Sequence, residues 1–415
     1  MNLKILAAVS MFFIACSVFS QASMNMTLLG QKNEHNQTGT PAGWHYSSCW
    51  GWTSPAGREY AILGYSVGTA IYDITDAPSI VQCDTIPGPV SYYNYREFTV
   101  VDHYLYIVSE GSAGNAGLQI VDLQYLPDSV KHVKNWTFPG YLTTHTIKSS
   151  GNFLYLNGAN YSGGALTILD ITDRENPVKR GTAPGPYSHD CYIKNDTVYA
   201  ANVYNPNSKM SIISAIDKDN PTVIGQFIYP NAVCHNVWFS NDRRWLLTTD
   251  EGGSNHLRLW DASNLSNIIF TYEYIPYETA MVHNAYFKGD TIFMSHYRAG
   301  IVALDIHDLP AQPTVIGYYD TYPGSGLDYQ GAWNVYPFYA SGKFIGSDIT
   351  GGLFVLRFGD PIGITQTLTT VPAQFSLEQN YPNPFNPVTK IRFSIPPASS
   401  SAEFETELKI YDASG

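Results

Sequence analysis

The sequence predicts an all-β protein built as a seven-bladed β-propeller of four-stranded blades, its ring closed by a strand from the N-terminus. Three observations carry that prediction. First, the 415 residues include 31 Tyr, 34 Gly and 25 Pro but only 14% charged side chains, a profile of aromatic strands and tight turns rather than of helices. Second, one opening motif recurs seven times: "CWGWTS" at Cys49, "REFTVV" at Arg96, "HTIKSS" at His145, "HDCYIK" at His189, "HNVWFS" at His235, "HNAYFK" at His283 and "WNVYPF" at Trp333. The spacing, from the residue numbers, is 44 to 50 residues. Second and third β-rich runs follow each opening, and a weaker fourth closes most units. Four strands at this period form a propeller, because a single blade cannot bury both of its faces alone. Third, the seventh unit stops after "GLFVLRF", while a strand-like "MNMTLLGQ" stands unassigned before the first.

Taken in order, residues 1–22 read as an export signal. Lys4 supplies the positive start, "ILAAVSMFFIAC" the apolar core and "SQA" the small-residue exit, with cleavage after Ala22. The apolar run is short for a membrane span, and no later segment is apolar enough to cross a bilayer, so the mature chain is expected to carry no transmembrane segment. Cys16 keeps lipoprotein processing open as an alternative, although Phe13 fits a lipobox poorly. The mature chain retains Cys49, Cys83, Cys191 and Cys234; disulfides are permitted in an exported protein, and all three pairings stay open.

Residues 24–358 are assigned to the propeller. Met24–Gln31 resembles fourth strands such as "TVIGQF" and is expected to pair with unit seven, which removes the bare edge a ring would otherwise leave. Third runs end in "DITD" or "DIHD". Asp73, Asp76, Asp170, Asp173, Asp305 and Asp308 are read there as turn formers that accept nearby backbone N–H groups. Residues 359–373 are a linker, and 374–415 a separate segment.

Two resemblances accompany this reading. The stretches "CWGWTSPAGREYAILGYSVGTAIYDITD", "REFTVVDHYLYIVSEG", "SHYRAGIVALDI" and "GAWNVYPFYASGKFIGSDITGGLFVL" resemble the LVIVD-repeat proteins of the choice-of-anchor B type. That likeness implies an extracellular or surface-attached bacterial propeller without a defined activity. The tail "FSLEQNYPNPFNPVTKIRFSIP", followed by "ELKIYDASG", is similar to the start of a type IX secretion sorting domain. This implies an incomplete immunoglobulin-like segment over 374–415 and the type IX secretion machinery as a partner.

The formal net charge of −12 shows no basic stripe to neutralise phosphates, so nucleic acid is excluded as a partner. The recurring histidines give the candidate site. In an antiparallel blade the first strand begins, and the second ends, at the same rim. His145, His189, His235 and His283 should therefore face one end of the central channel, with Glu110, Asp250, His296 and Asp348 near that end. Arg96 takes the histidine's place in unit two, and Arg298 follows just beyond His296.

Three readings follow for this set. Each imidazole, and the residue after it (Glu97, Thr146, Asp190, Asn236, Asn284 or Asn334), can tie the first strand to its neighbours. Alternatively, Arg96, His145, His189, His235, His283, His296, Arg298 and Asp348 can bind an extracellular glycan, peptide or small anion at the channel mouth, with Tyr93, Tyr95 and Tyr187 as stacking surfaces. Third, His189, His235, His283 and Asp250 are candidate ligands for a divalent metal such as zinc. A metal-free hydrolase or lyase would instead use His235 or His283 as base, oriented by Asp250 or Glu251. The oxygen-rich loop Asp250–Asn255 is a calcium candidate that lacks EF-hand ligand order. No cofactor is assigned outright, and Trp50, Trp52, Trp238, Trp245, Trp260 and Trp333 are read as blade-packing residues. The expected role is binding or scaffolding at the bacterial envelope, with catalysis as the alternative.

Overall fold

Strand follows strand through the chain, each bounded by Gly, Asn, Asp or Pro, and the strands assemble as a seven-bladed propeller in the computed structural model. The structure describes residues 23–359, except 113–115, 204–208, 253–255, 275–279, 325 and 327, and five residues of the tail (376, 377, 379, 393 and 394). The signal-peptide assignment, most of the linker and most of the sorting segment lie outside the described residues. The chain divides into one unit ending at Pro361 and another from Ile362. Of the second, only a short pairing of Ser376–Leu377 with Phe393–Ser394 is described.

Each blade is an antiparallel meander. The innermost strands are Tyr46–Thr53, Arg96–Val101, Thr146–Ser150, Asp190–Lys194, Cys234–Phe239, Ala285–Lys288 and Ala332–Tyr336. Second and third strands are buried on both faces, as in Glu59–Tyr65 and Gly68–Asp73. Outer strands are mostly half-buried or exposed; Thr222–Ile228 alternates between exposed and half-buried side chains along its whole length.

The core lies between blades. Tyr60, Ile62 and Ile71 of blade one pack on Phe98, Leu105 and Ile107 of blade two. Blade one also packs on blade seven, where Tyr46, Leu63 and Tyr72 meet Ile345, Leu353 and Val355. That contact closes the ring.

The N-terminal strand Met26–Lys32 pairs antiparallel with Gly352–Phe358 and supplies blade seven's fourth strand, as the sequence indicated. A feature of the register confirms the equivalence. In every blade the third and fourth strands slip by one residue, and blade seven slips between Leu28 and Gly30 as blade four does opposite Gly225. A second short strand, Ser23–Met24, adds to the outer edge of blade six by pairing with Tyr318 and Tyr319. The N-terminal segment therefore bridges two blades.

Carboxylates at the ends of third strands act as turn formers. Asp73, Asp170 and Asp305 each accept the backbone N–H two residues on at 2.9 Å. The four described cysteines are free thiols, three of them buried, and burial pushes Cys49 up to about 12. Among the described residues no helix is long and apolar enough to cross a membrane.

Candidate functional site

The strands that line the channel run side by side, so equivalent residues from successive blades stack around one axis. His145, His189, His235 and His283 consequently form a continuous row. Ring centroids are 4.1 Å apart for the first pair, 4.2 Å for the second and 4.4 Å for the third. His189, His235 and His283 are at most 5% exposed. His145 and Glu110, at one end of the row, keep partial contact with solvent.

The rings are held by the neighbouring blade. Nδ1 of His189 lies 3.2 Å from the His235 carbonyl, and Nδ1 of His283 lies 2.5 Å from the Trp333 carbonyl. A carbonyl only accepts, so in both residues Nδ1 donates and Nε2 carries the lone pair. Nε2 of His235 sits 3.2 Å from Oε2 of Glu251, and Nε2 of His283 is 3.9 Å from Oε1 of the same carboxylate. The Tyr297 hydroxyl donates to Glu251 Oε1 at 2.6 Å. His145 pairs through Nδ1 with Glu110 at 2.7 Å.

These environments separate the titrations. Burial, with the charges of neighbouring imidazoles, pulls His189 and His235 well below the usual histidine range. Burial also lowers His283, against the opposing pull of Glu251. At His145 burial acts in the same direction, but Glu110, together with Glu97 and Glu251, outweighs it and the pKa is raised. Three imidazoles biased toward the neutral form thus stand beside a fourth biased toward the charged form.

A polar belt lies one residue further into the channel. Asn236 Nδ2 donates to Asp190 at 2.8 Å, Asn284 Nδ2 to Asn334 at 3.2 Å, and Asn334 Nδ2 to Ser48 at 2.9 Å. Lys148 pairs with Asp190 at 3.2 Å. Glu97 is pushed up to about 7 by burial, opposed by Lys148 and reinforced by Asp190. The belt stitches adjacent blades together, which is the tie-bar role the sequence suggested for these residues, made largely through side chains.

Aromatic groups flank the His283 end. Trp333 and Tyr297 lie 5.0 and 5.1 Å from its ring, and Trp44, Tyr95 and Tyr329 extend the cluster. At the opposite end of the channel, Trp50, Trp52, Trp238, Tyr336 and Phe338 line an open cavity of about 450 Å³. Trp50 and Trp238 therefore pack blades and also border open space.

Other predicted site residues do not join the imidazoles. Asp250 is fully buried, bound to the Arg258 guanidinium, the Tyr229 hydroxyl at 3.0 Å and the Val233 N–H at 2.7 Å. The carboxylate that reaches the histidines is Glu251, one residue on, because the strand ends at Asp250 and the chain turns. Asp348 is consumed by the Thr321 hydroxyl and the N–H groups of Thr350 and Gly351. Arg96 is buried and donates to the Tyr65 and Val90 carbonyls. Arg298 pairs with Asp328 and lies over the Tyr322 ring. His296 is fully buried, and neither ring nitrogen has a hydrogen-bond partner among the described residues. The loop proposed for calcium includes residues 253–255, which lie outside the described ones.

Sequence reasoning missed Lys148, Trp44, Tyr297 and Tyr329. Lys148 left a signal: it shares a strand face with Thr146, and both meet Asp190 of the next blade.

No family model matches the sequence, and no curated protein does. Solved structures do resemble it. The Cps50 (Swd1) β-propeller domain from Myceliophteria thermophila aligns with TM-score 0.54 at 10% identity, covering 76% of this chain and 97% of that one. A putative 6-phosphogluconolactonase from Bacteroides fragilis gives 0.52 at 12%, covering 73% and 88%. The periplasmic gluconolactonase PpgL of Pseudomonas aeruginosa gives 0.52 at 12%, covering 74% and 98%. These likenesses show the fold alone.

Proposed function

We propose that this chain is an exported, surface-located bacterial binding module whose ligand site is the imidazole end of its channel. An N-terminal signal and a type IX sorting segment would carry it out. The observation that supports the reading best is the row of four histidines from four consecutive blades, beside an aromatic cluster with a partly open rim. His145, Glu110, Tyr95, Tyr187 and Tyr329 are the rim groups that keep solvent contact. Such a rim offers stacking area and hydrogen bonds to a glycan or a peptide. A small anion suits it less well, since Glu97, Glu110, Asp190 and Glu251 outnumber Lys148 and a charged His145.

The test is a glycan and peptide array probed with the mature protein, then with Glu110→Gln and Tyr329→Ala. Binding should weaken in both variants. Binding unchanged in both, but lost in Trp238→Ala at the opposite end, would overturn the reading.

A second reading, a hydrolase or lyase, is supported by Glu97, a channel carboxyl pushed up to about 7 and so able to give or take a proton at neutral pH. Gluconolactones are the first substrates to assay, because one structural neighbour is a putative 6-phosphogluconolactonase and another a periplasmic gluconolactonase. Turnover abolished in Glu97→Gln would favour this reading, and its absence across a lactone and ester panel would count against it.

A further inference from the structure

Glu251 lies against the buried imidazoles, its Oε2 3.2 Å from Nε2 of His235 and its Oε1 3.9 Å from Nε2 of His283. Among the described residues, His189, His235 and Glu251 are the one group of His, Cys, Asp and Glu side chains whose donor atoms come together closely enough to hold a metal, all within 4.8 Å of one another. We propose that these three side chains bind a divalent first-row transition metal of the zinc class, with His283 as the adjacent fourth nitrogen. The inference rests on the reading of the imidazole end as the ligand site.

Four features carry it. The donor set is two imidazole nitrogens and a carboxylate oxygen, which suits zinc and its neighbours and not calcium, whose ligands are oxygens. The spacing is near that of a loaded site: tetrahedral ligands about 2.1 Å from zinc stand roughly 3.4 Å apart. His235 Nε2 and Glu251 Oε2 are already at 3.2 Å. The other donor separations of the three side chains stay within 4.8 Å.

The outer hydrogen bonds are also those that orient metal ligands. A backbone carbonyl accepts from Nδ1 of His189, another from Nδ1 of His283, and Tyr297 donates to Glu251. His235 is the member left incomplete. Its Nδ1 has no hydrogen-bond partner among the described residues, so one nitrogen is unsatisfied in either tautomer. Finally, carboxylates outnumber cations in this part of the channel, so a bound dication offsets an excess of buried negative charge.

The sequence pointed to Asp250 as the oxygen ligand. The geometry assigns that place to Glu251, since Asp250 is occupied by Arg258, Tyr229 and Val233.

The experiment is metal stripping of the mature protein with a chelator, followed by titration with Zn²⁺ and Co²⁺. Calorimetry and elemental analysis would read the stoichiometry, and the visible spectrum of cobalt its coordination. One equivalent is expected, with the intense bands of tetrahedral cobalt. Affinity should fall about 100-fold or more in His235→Ala and in the gentler Glu251→Gln. It should be unchanged in His307→Ala, a histidine on an exposed turn. The folded state of each variant is checked by circular dichroism, and the cobalt spectrum of the unaltered protein tests the proposal even if a variant fails to fold. Absence of a stoichiometric site, an octahedral spectrum without nitrogen ligands, or binding equally strong in both site variants would overturn it. If no metal binds while array ligands still depend on Glu110 and Tyr329, the metal inference falls and the binding-module reading stands. If metal binds and no array ligand does, the reverse holds.

Discussion

His189 and His235 are 46 positions apart in the chain, yet their rings lie 4.2 Å apart and Nδ1 of the first faces the carbonyl of the second. A propeller makes such neighbours out of equal steps in sequence. Each blade turns the chain by one seventh of a circle and returns the same register position to the axis. The imidazole row, the polar belt beneath it and the bulge on the outer strands are all products of that step.

The buried ion pair behind Asp250 gives the first prediction. Asp250 is fully buried, and its counter-ion Arg258 is shared with Glu273 at 2.9 Å. Arg258→Met would leave a carboxylate in the core without its partner, at a cost of about 3–5 kcal/mol. The double variant Arg258→Met/Asp250→Asn should recover part of that loss. Denaturant unfolding of the three proteins measures both effects, and a single variant as stable as the parent would contradict the account.

A pH effect follows from Asp73. Burial raises its pKa, but hydrogen bonds from Thr75 and Arg58, with the Arg58 charge, outweigh burial and the net shift is downward. A carboxylate lowered by folding contributes stability that is present above its unfolded pKa of about 4 and lost as pH falls through the folded value. The difference in Tm between the parent and Asp73→Asn should therefore be constant from pH 7 to about 5 and shrink below about 4. A difference that grows with acidification would reverse the sign and defeat the argument.

Two glycines at the repeated bulge should respond differently to the same change. At Gly181 an added Cβ would lie 2.6 Å from the backbone oxygens of Lys218 and Asp219, which cannot move aside without disturbing blade four. At Gly225 the nearest atom is 3.4 Å away, the end of the Ile212 side chain. Gly181→Ala should lower Tm by several degrees, a loss on the order of 1–3 kcal/mol. Gly225→Ala should leave Tm within about 1 °C of the parent. Equal effects at the two sites would show that the bulge itself, and not the contact, sets the cost.

Ring closure makes the fourth prediction. Removing residues 23–32 exposes the whole hydrogen-bonding edge of Gly352–Phe358 and uncovers Phe354 and Leu356, which pack with Met26 in one cluster. The shortened protein should melt at lower temperature and self-associate through the bare edge. Light scattering with thermal melts would show this, and a monomer of unchanged Tm would remove the N-terminal strand from the closure.

Much of this was legible in the chain. The sevenfold recurrence and the "LLGQ" likeness to "VIGQF" were local patterns. They stated the blade number and the closing strand because strand pairing and bulge position depend on alternation and glycine placement. The convergence of the histidines was also legible, since position within a repeat maps onto height along the axis. Direction around the axis was not. Asp250 and Glu251 are adjacent letters with interchangeable chemistry. Only the turn after Cys234–Phe239's partner strand, Trp245–Asp250, decides that the first faces Arg258 and the second the imidazoles.

By itself the sequence determined the architecture and the list of imidazoles, because periodic burial and turn chemistry act over a few residues and repeat. The tertiary structure alone decided which carboxylate meets them, that Arg96, Arg298 and Asp348 are bound elsewhere, and that Lys148 balances Asp190 across a blade boundary. Those pairings depend on side-chain direction and on contacts between blades. Charge and hydrogen bonding act over a few ångströms in space, a distance that has no counterpart along the chain.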